Sequence, residues 1–157
     1  MSPLKLSITR DSEVNFDTLI PSIPCSALET NPLTLAPMIL SIDDNKICQK
    51  VNETILKKFG CFVELAGTSN EALQKMVKPY EMIFLEARLP DHRGEAFIDL
   101  IRYDERSANK KTPIVIITSW IESTLNKKYF SREIDAIFIK PILRHEFKTI
   151  LQKYGVI

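Results

Sequence analysis

Five polar residues in this chain each close a short apolar run. Asp43 and Asp44 follow Ile39-Leu40-Ser41-Ile42, and Glu86 follows Met82-Ile83-Phe84-Leu85. Thr118 ends Ile114-Val115-Ile116-Ile117-Thr118, and Lys140 follows Ile137-Phe138-Ile139 and precedes Pro141. Adjacent aspartates at a strand end are oxygen ligands suited to a hard cation such as magnesium, which keeps several of its waters. A third carboxylate nearby repels the first two unless cations compensate. Lys140 supplies one positive charge, so a Glu86–Lys140 ion pair is expected, with or without metal. The place of Thr118 at a strand end favours a hydroxyl facing the same cleft. Plainer roles stay open. Asp44 or Asn45 can cap a following helix. Lys140 can be a surface lysine beside a turn, Thr118 a strand former, and Glu86 a solvated strand end.

These residues need a scaffold that brings strand ends together. Apolar runs of this kind read as buried strands of a parallel sheet. Strands are expected near Ile39–Ile42, Phe62–Ala66, Met82–Glu86, Ile114–Thr118 and Ala136–Ile139. Helical patterns separate them. The first starts near Asn45 and stops before Gly60, with Ile47, Val51, Ile55 and Phe59 as its buried face. The second has capping-box spacing from Thr68 to Glu71, ahead of Ala72, Leu73, Met76 and Val77, and is stopped by Pro79. A third carries Ala96, Phe97, Leu100 and Ile101. A short fourth helix falls around Thr124 to Ser131, and the last runs from about Leu143 to Tyr154. Strands joined by crossover helices make right-handed units and a parallel α/β sheet. In such sheets the functional cleft lies at the carboxyl ends of the strands.

From about Pro37 to Tyr154 these motifs, in this order and spacing, resemble the receiver domain of two-component response regulators. The resemblance implies a flavodoxin-like (βα)5 doubly wound sheet of strand order 2-1-3-4-5, with a cis Lys140–Pro141 bond. It implies that Asp43 and Asp44 are the metal-holding pair, Thr118 the hydroxyl of the fourth strand and Lys140 the lysine of the fifth. The third strand of a receiver ends in the aspartate that accepts a phosphoryl group, and Glu86 stands in that place. Its carboxylate is one methylene further out, and about 1 Å of misplacement can cost on the order of 100-fold in rate. The family's switch aromatic lies three residues before the lysine; here that position is Ile137, with Phe138 beside it.

The leading expectation is therefore a degenerate receiver, or pseudo-receiver: a signalling interaction module, not an enzyme, that works without aspartate phosphorylation. Glu86 is then open between a fixed mimic of the phosphorylated aspartate and a disabled acceptor. Magnesium is expected to be absent or weakly bound, with Asp43 and Asp44 a weak or vestigial site. The alternative is a phospho-accepting regulator that uses another acidic residue such as Asp44. A haloacid-dehalogenase-like phosphatase would need Asp-x-Asp after the first strand, and Asp43-Asp44-Asn45 lacks it. The expected partner is a histidine kinase, phosphotransfer protein or output protein. It is expected to dock on the face of the fourth helix, fifth strand and last helix, which includes Lys127, Lys128, Tyr129, Phe130 and Arg144. The chain reads as stand-alone or as a piece of a hybrid histidine kinase.

Composition narrows the classes. The chain has 157 residues and a net charge of +1, which argues against a global field for nucleic acid or anionic membrane. No apolar run approaches a membrane span, and Met1 to Glu13 lacks the apolar core of a signal peptide. A cytoplasmic location is expected. Residues 1–36 read as an N-terminal extension or linker, with Pro3, Pro21, Pro24 and Pro32 and no glycine; 37–157 read as the receiver-like domain. Pro3 to Arg10 is a candidate short strand and Phe16 to Ile20 an apolar anchor. Cys25, Cys48 and Cys61 have no metal-like spacing and read as small buried hydrophobes. His92 lies in a loop beside the cleft, and neither it nor His145 has partner spacing for zinc or a triad. Trp120 either covers the cleft or packs on the fourth helix.

Overall fold

Each strand of this protein offers one apolar set to either side. A computed structural model, which describes residues 35–91, 94–119 and 133–157, gives each set its own layer. In chain order the elements are β1 Met38–Ile42, α1 Lys46–Lys58, β2 Phe62–Ala66, α2 Ser69–Lys75, β3 Met82–Leu85, α3 Gly94–Tyr103, β4 Ile114–Thr118, β5 Ala136–Ile139 and α4 Arg144–Lys153. The five strands form one parallel sheet in the order β2-β1-β3-β4-β5, as the resemblance implies. Leu35–Ile157 makes one unit. The expected features within residues 1–36, His92, Trp120, and the helix with Lys127, Lys128, Tyr129 and Phe130 lie outside the described residues.

Side-chain alternation fills both faces of the sheet. Leu40, Ile42, Ile83, Leu85, Ile114 and Ile116 pack with Ala72 of α2 and with Phe97, Ile98 and Ile101 of α3. Ile39, Met82, Phe84, Val115 and Ile117 pack with Leu56 of α1 and with Phe147, Ile150 and Leu151 of α4. The rings of Phe84 and Phe147 meet edge to face at 5.2 Å. Burying a side chain of this size is worth about 1.5–3 kcal/mol, so β3 and β4, both buried along their whole length, anchor the fold.

The face of α1 bears out half of the sequence expectation: Ile55 and Phe59 are partly buried against the core, but the first half of the helix differs. Ile47 is 75% exposed and Val51 46% exposed, while Gln49, Asn52 and Leu56 are buried. A helix that begins beside a loop full of carbonyls needs donors more than methyl groups. Gln49 Nε2 donates to the carbonyls of Asp43 and Ala66, and Asn52 Nδ2 lies 3.4 Å from the Ser41 hydroxyl oxygen. The helix ends where Gly60 adopts φ +82°, a left-handed conformation that costs glycine little. Its N–H and that of Cys61 close back on Lys57 and Leu56.

Two smaller corrections concern the next helices. Thr68 does cap α2, accepting from the Glu71 N–H at 3.1 Å, but the Glu71 carboxylate turns back to the Gly67 N–H rather than to Thr68. Val77 lies beyond the helix and is exposed, and Leu100 of α3 is exposed as well. Cys61 is buried, while Cys48 is only half-buried.

At the amino ends of the strands a second polar cluster ties loops together. Arg102 Nη1 donates to the carbonyls of Asn109, Lys110 and Thr112, and its Nη2 donates to that of Glu133. Asn109 donates to the carbonyls of Met76 and Lys78 and accepts from the Tyr80 N–H and the Thr112 hydroxyl.

Candidate functional site

The carboxyl ends of β1, β3, β4 and β5 converge on one polar cleft of about 460 Å³, whose walls include Asp44, Glu86, Thr118 and Lys140. Each side chain is fixed by the backbone that carries it. The Asp43 N–H continues the β1–β2 ladder to Ala66, and the Glu86 N–H continues the β3–β1 ladder to Ile42. The Lys140 N–H bonds the Thr118 carbonyl at 2.8 Å, so the lysine leaves β5 level with the hydroxyl that ends β4. The Lys140–Pro141 bond is cis, as the resemblance implies. Asn45, not Asp44, caps α1, its Oδ1 accepting from the N–H groups of Ile47 and Cys48.

Asp43 and Glu86 are nearly sealed from solvent, at 2% and 6% exposure. The Lys140 ammonium lies 2.6 Å from Asp43 Oδ2 and 2.6 Å from Glu86 Oε2. The expected Glu86–Lys140 pair is therefore present and extends to Asp43. The other two carboxylate oxygens are also engaged. Asp43 Oδ1 accepts from the Asn45 N–H at 2.9 Å. Glu86 Oε1 accepts from the Thr118 hydroxyl at 2.7 Å and the Arg88 N–H at 3.1 Å. Burial works against the charge on Lys140, but the two carboxylates more than offset it and raise its pKa above the usual lysine range. Asp44 stands apart, exposed on the rim.

This arrangement sets what the cleft can do. A carboxylate that attacks phosphorus needs a lone pair free and in line with the breaking bond, and catalysis of such a transfer is mostly positioning and charge stabilisation. Glu86 instead offers both oxygens to fixed donors. The carboxylate oxygens have the right chemistry for magnesium, but the arrangement does not fit it. Magnesium demands near-ideal octahedral geometry at about 2.0–2.1 Å, and the ammonium takes the position between the two buried carboxylates. Among the described residues no group of His, Cys, Asp and Glu side chains is assembled to hold a metal ion.

Sequence reading anticipated Asp43, Asp44, Glu86, Thr118 and Lys140, and the structure brings them to one cleft. It missed the supports. Gln49 holds the Asp43 backbone, and Asp91 binds the first turn of α2 through the N–H groups of Ser69 and Asn70 at 3.0 and 2.9 Å. The spacing of Gln49, Asn52 and Leu56 is itself helical, which was the available signal. Nothing local marks Asp91. Ile137, the switch position, is partly buried and packs with the cluster on the α2–α3 side, whereas Phe138 packs on the other side. Arg144 of the expected partner face is exposed, and its guanidinium lies 5.4 Å from the centre of the Phe59 ring. Among the described residues no helix is long and apolar enough to cross a membrane.

Comparison with known proteins places this geometry. The family model of the response regulator receiver domain matches residues 39–152. Hybrid signal transduction histidine kinase L of Dictyostelium discoideum is 30% identical over 132 residues, 81% of this chain and 8% of that protein. The osmosensing histidine protein kinase SLN1 of Saccharomyces cerevisiae is 29% identical over 123 residues, 74% of this chain and 10% of its own length. This chain thus spans only a small part of the curated relatives it matches. Among solved structures it is similar to the receiver domain of a sensor histidine kinase from Pseudomonas aeruginosa PAO1. That domain has a magnesium ion coordinated in its active-site cleft; it is 26% identical, with a TM-score of 0.68 over 76% of this chain and 97% of that one. The chemotaxis response regulator CheY4 of Vibrio cholerae, at 22% identity and a TM-score of 0.68 over 76% of this chain and 98% of that one, shares the fold. With its strand order, its cleft and a family match across nearly the whole described unit, the chain belongs to the response regulator receiver domains of two-component signalling.

Proposed function

We propose that this protein is a pseudo-receiver: a signalling interaction module, not an enzyme, that works without aspartate phosphorylation. The observation that carries the reading is Glu86. It stands where the family places its phosphoacceptor, and its carboxylate is held by the Thr118 hydroxyl, the Arg88 N–H and the Lys140 ammonium. Those donors would be expected to meet the oxygens of a phosphorylated aspartate. Glu86 carries constant negative charge to the same donors, so it acts as a fixed mimic rather than an acceptor. Magnesium binds weakly or not at all. Ile137 stands where the family places the aromatic that reports a change at the strand-end hydroxyl.

The partner is a histidine kinase, a phosphotransfer protein or an output protein in the cytoplasm. It docks on the face that includes β5 and α4, and the module works either alone or within a hybrid kinase. A switch requires two states with different affinity for the trigger, and a missing acceptor removes that difference. Binding to a partner recovered by pull-down is therefore measured with and without acetyl phosphate and magnesium. Equal affinities are expected. A shift beyond about tenfold, ~1.4 kcal/mol, would mean that the phospho-switch works. The alternative acceptor, Asp44, is exposed on the cleft wall; loss of such a shift in Asp44→Asn would assign the chemistry to it.

A further inference from the structure

We infer that Lys140 is the cleft's own cation, and that its ammonium is what excludes a divalent ion from the Asp43–Glu86 pair. The donor chemistry of the cleft is that of a hard-cation site, with three carboxylates from two adjacent strand ends. The hydrogen-bond pattern is not. Every oxygen of Asp43 and Glu86 already has a donor, and the two that face each other share Lys140 at 2.6 Å each. A divalent ion entering between Asp43 and Glu86 would have to displace Lys140, and the displaced charge would remain tethered beside it. Only Asp44, exposed on the rim, keeps its carboxylate outside this set. Removing the lysine charge while keeping its bulk should turn the cleft from one that rejects divalent ions into one that binds them.

This deepens the reading of the cleft as locked, and its test contains no phosphodonor, so the two can fail separately. A protein that binds the metal but takes no phosphate overturns this inference, and with it the expected weak magnesium binding, while the pseudo-receiver reading stands. One that takes phosphate while rejecting the metal overturns only the proposed function.

Manganese(II) is the probe, since it accepts the same six-oxygen surroundings, and free ion is read by electron paramagnetic resonance. The wild-type protein is expected to bind it no better than in the millimolar range. Lys140→Met should bind at least about tenfold tighter, and adding Asp44→Asn should remove most of that gain. Lys140→Arg, which keeps the charge, should bind no better than wild type. Because Lys140→Met leaves two buried carboxylates facing each other, its folding is followed by circular dichroism across the same titration. Folding that appears only with manganese is the same result in another signal. Tight binding by the wild type, an equal gain in Lys140→Arg, or a Lys140→Met protein that neither binds nor is folded by manganese would overturn the inference.

Discussion

Two buried polar clusters sit at opposite ends of the same sheet, and they are built on different principles. At the amino ends, the two terminal nitrogens of Arg102 and the Asn109 amide donate to backbone carbonyls of surrounding loops. At the carboxyl ends, Asp43, Glu86, Thr118 and Lys140 bond mainly to one another. A side chain that answers carbonyls does the work of secondary structure where none can form, since a buried carbonyl left without a partner is costly. Side chains that answer each other hold charge in a fixed geometry. The first cluster is architecture. The second is the candidate site.

The comparison predicts an order of effects. Arg102→Ala should cost the most, about 4 kcal/mol, because it strands two buried and two part-buried carbonyls at once. Urea denaturation measures it, and manganese rejection by the cleft should survive in the folded fraction. If Arg102→Ala were nearly neutral, the architectural reading of that cluster would fall. Lys140→Ala should cost about 3 kcal/mol, since it leaves two buried carboxylates without their shared cation. The raised pKa of Lys140 fixes the sign of its pH dependence. Its contribution is complete below the unfolded lysine value of about 10.4 and is lost only as pH climbs through the higher folded value. Between about pH 7 and about pH 9 Lys140 therefore keeps its charge, and wild-type stability should show no loss assignable to it. A wild-type stability that fell by about the cost of Lys140→Ala within that window, with Lys140→Arg unchanged, would contradict the assignment.

Asp91→Asn should have the smallest effect, about 1 kcal/mol, comparable to the loss of a helix cap. Burial raises the Asp91 pKa, but the N–H groups of Asn70 and Ser69 outweigh it and bring it down to about 2. A depressed carboxylate stabilises above its unfolded value of about 3.9 and loses that contribution as pH falls toward the folded one. Acid titration of wild type against Asp91→Asn should show the two stabilities converging below about pH 4. Parallel curves there would mean that the clamp on α2 carries no net stability.

How much was legible in the sequence follows the same division. The cleft residues could be read because each ends an apolar run, and the period of the sheet puts run ends in one place. The strand order came with the resemblance. The buried face of α1 was read correctly only in its second half, where Ile55 and Phe59 pack on the core; in the first half apolar periodicity was taken to mean burial, while Gln49 and Asn52 are buried for the hydrogen bonds they make. Ile47 and Val51 are left on the outside, beside Pro141 and Ile142. Arg102 and Asn109 left no trace in the sequence, because their partners are backbone groups from distant segments. A side chain recruited to satisfy carbonyls carries no pattern of its own.

The central claim is that Glu86 is held, not poised. Its most direct test is the intact mass of the protein after incubation with acetyl phosphate and magnesium, alongside Glu86→Asp. The account predicts an unchanged mass for the wild type. It predicts partial phosphorylation of Glu86→Asp, because Asp43, Asp44, Thr118 and Lys140 remain in place around the shorter carboxylate. A wild-type protein that gains one phosphoryl group, mapped to this cleft, would contradict it.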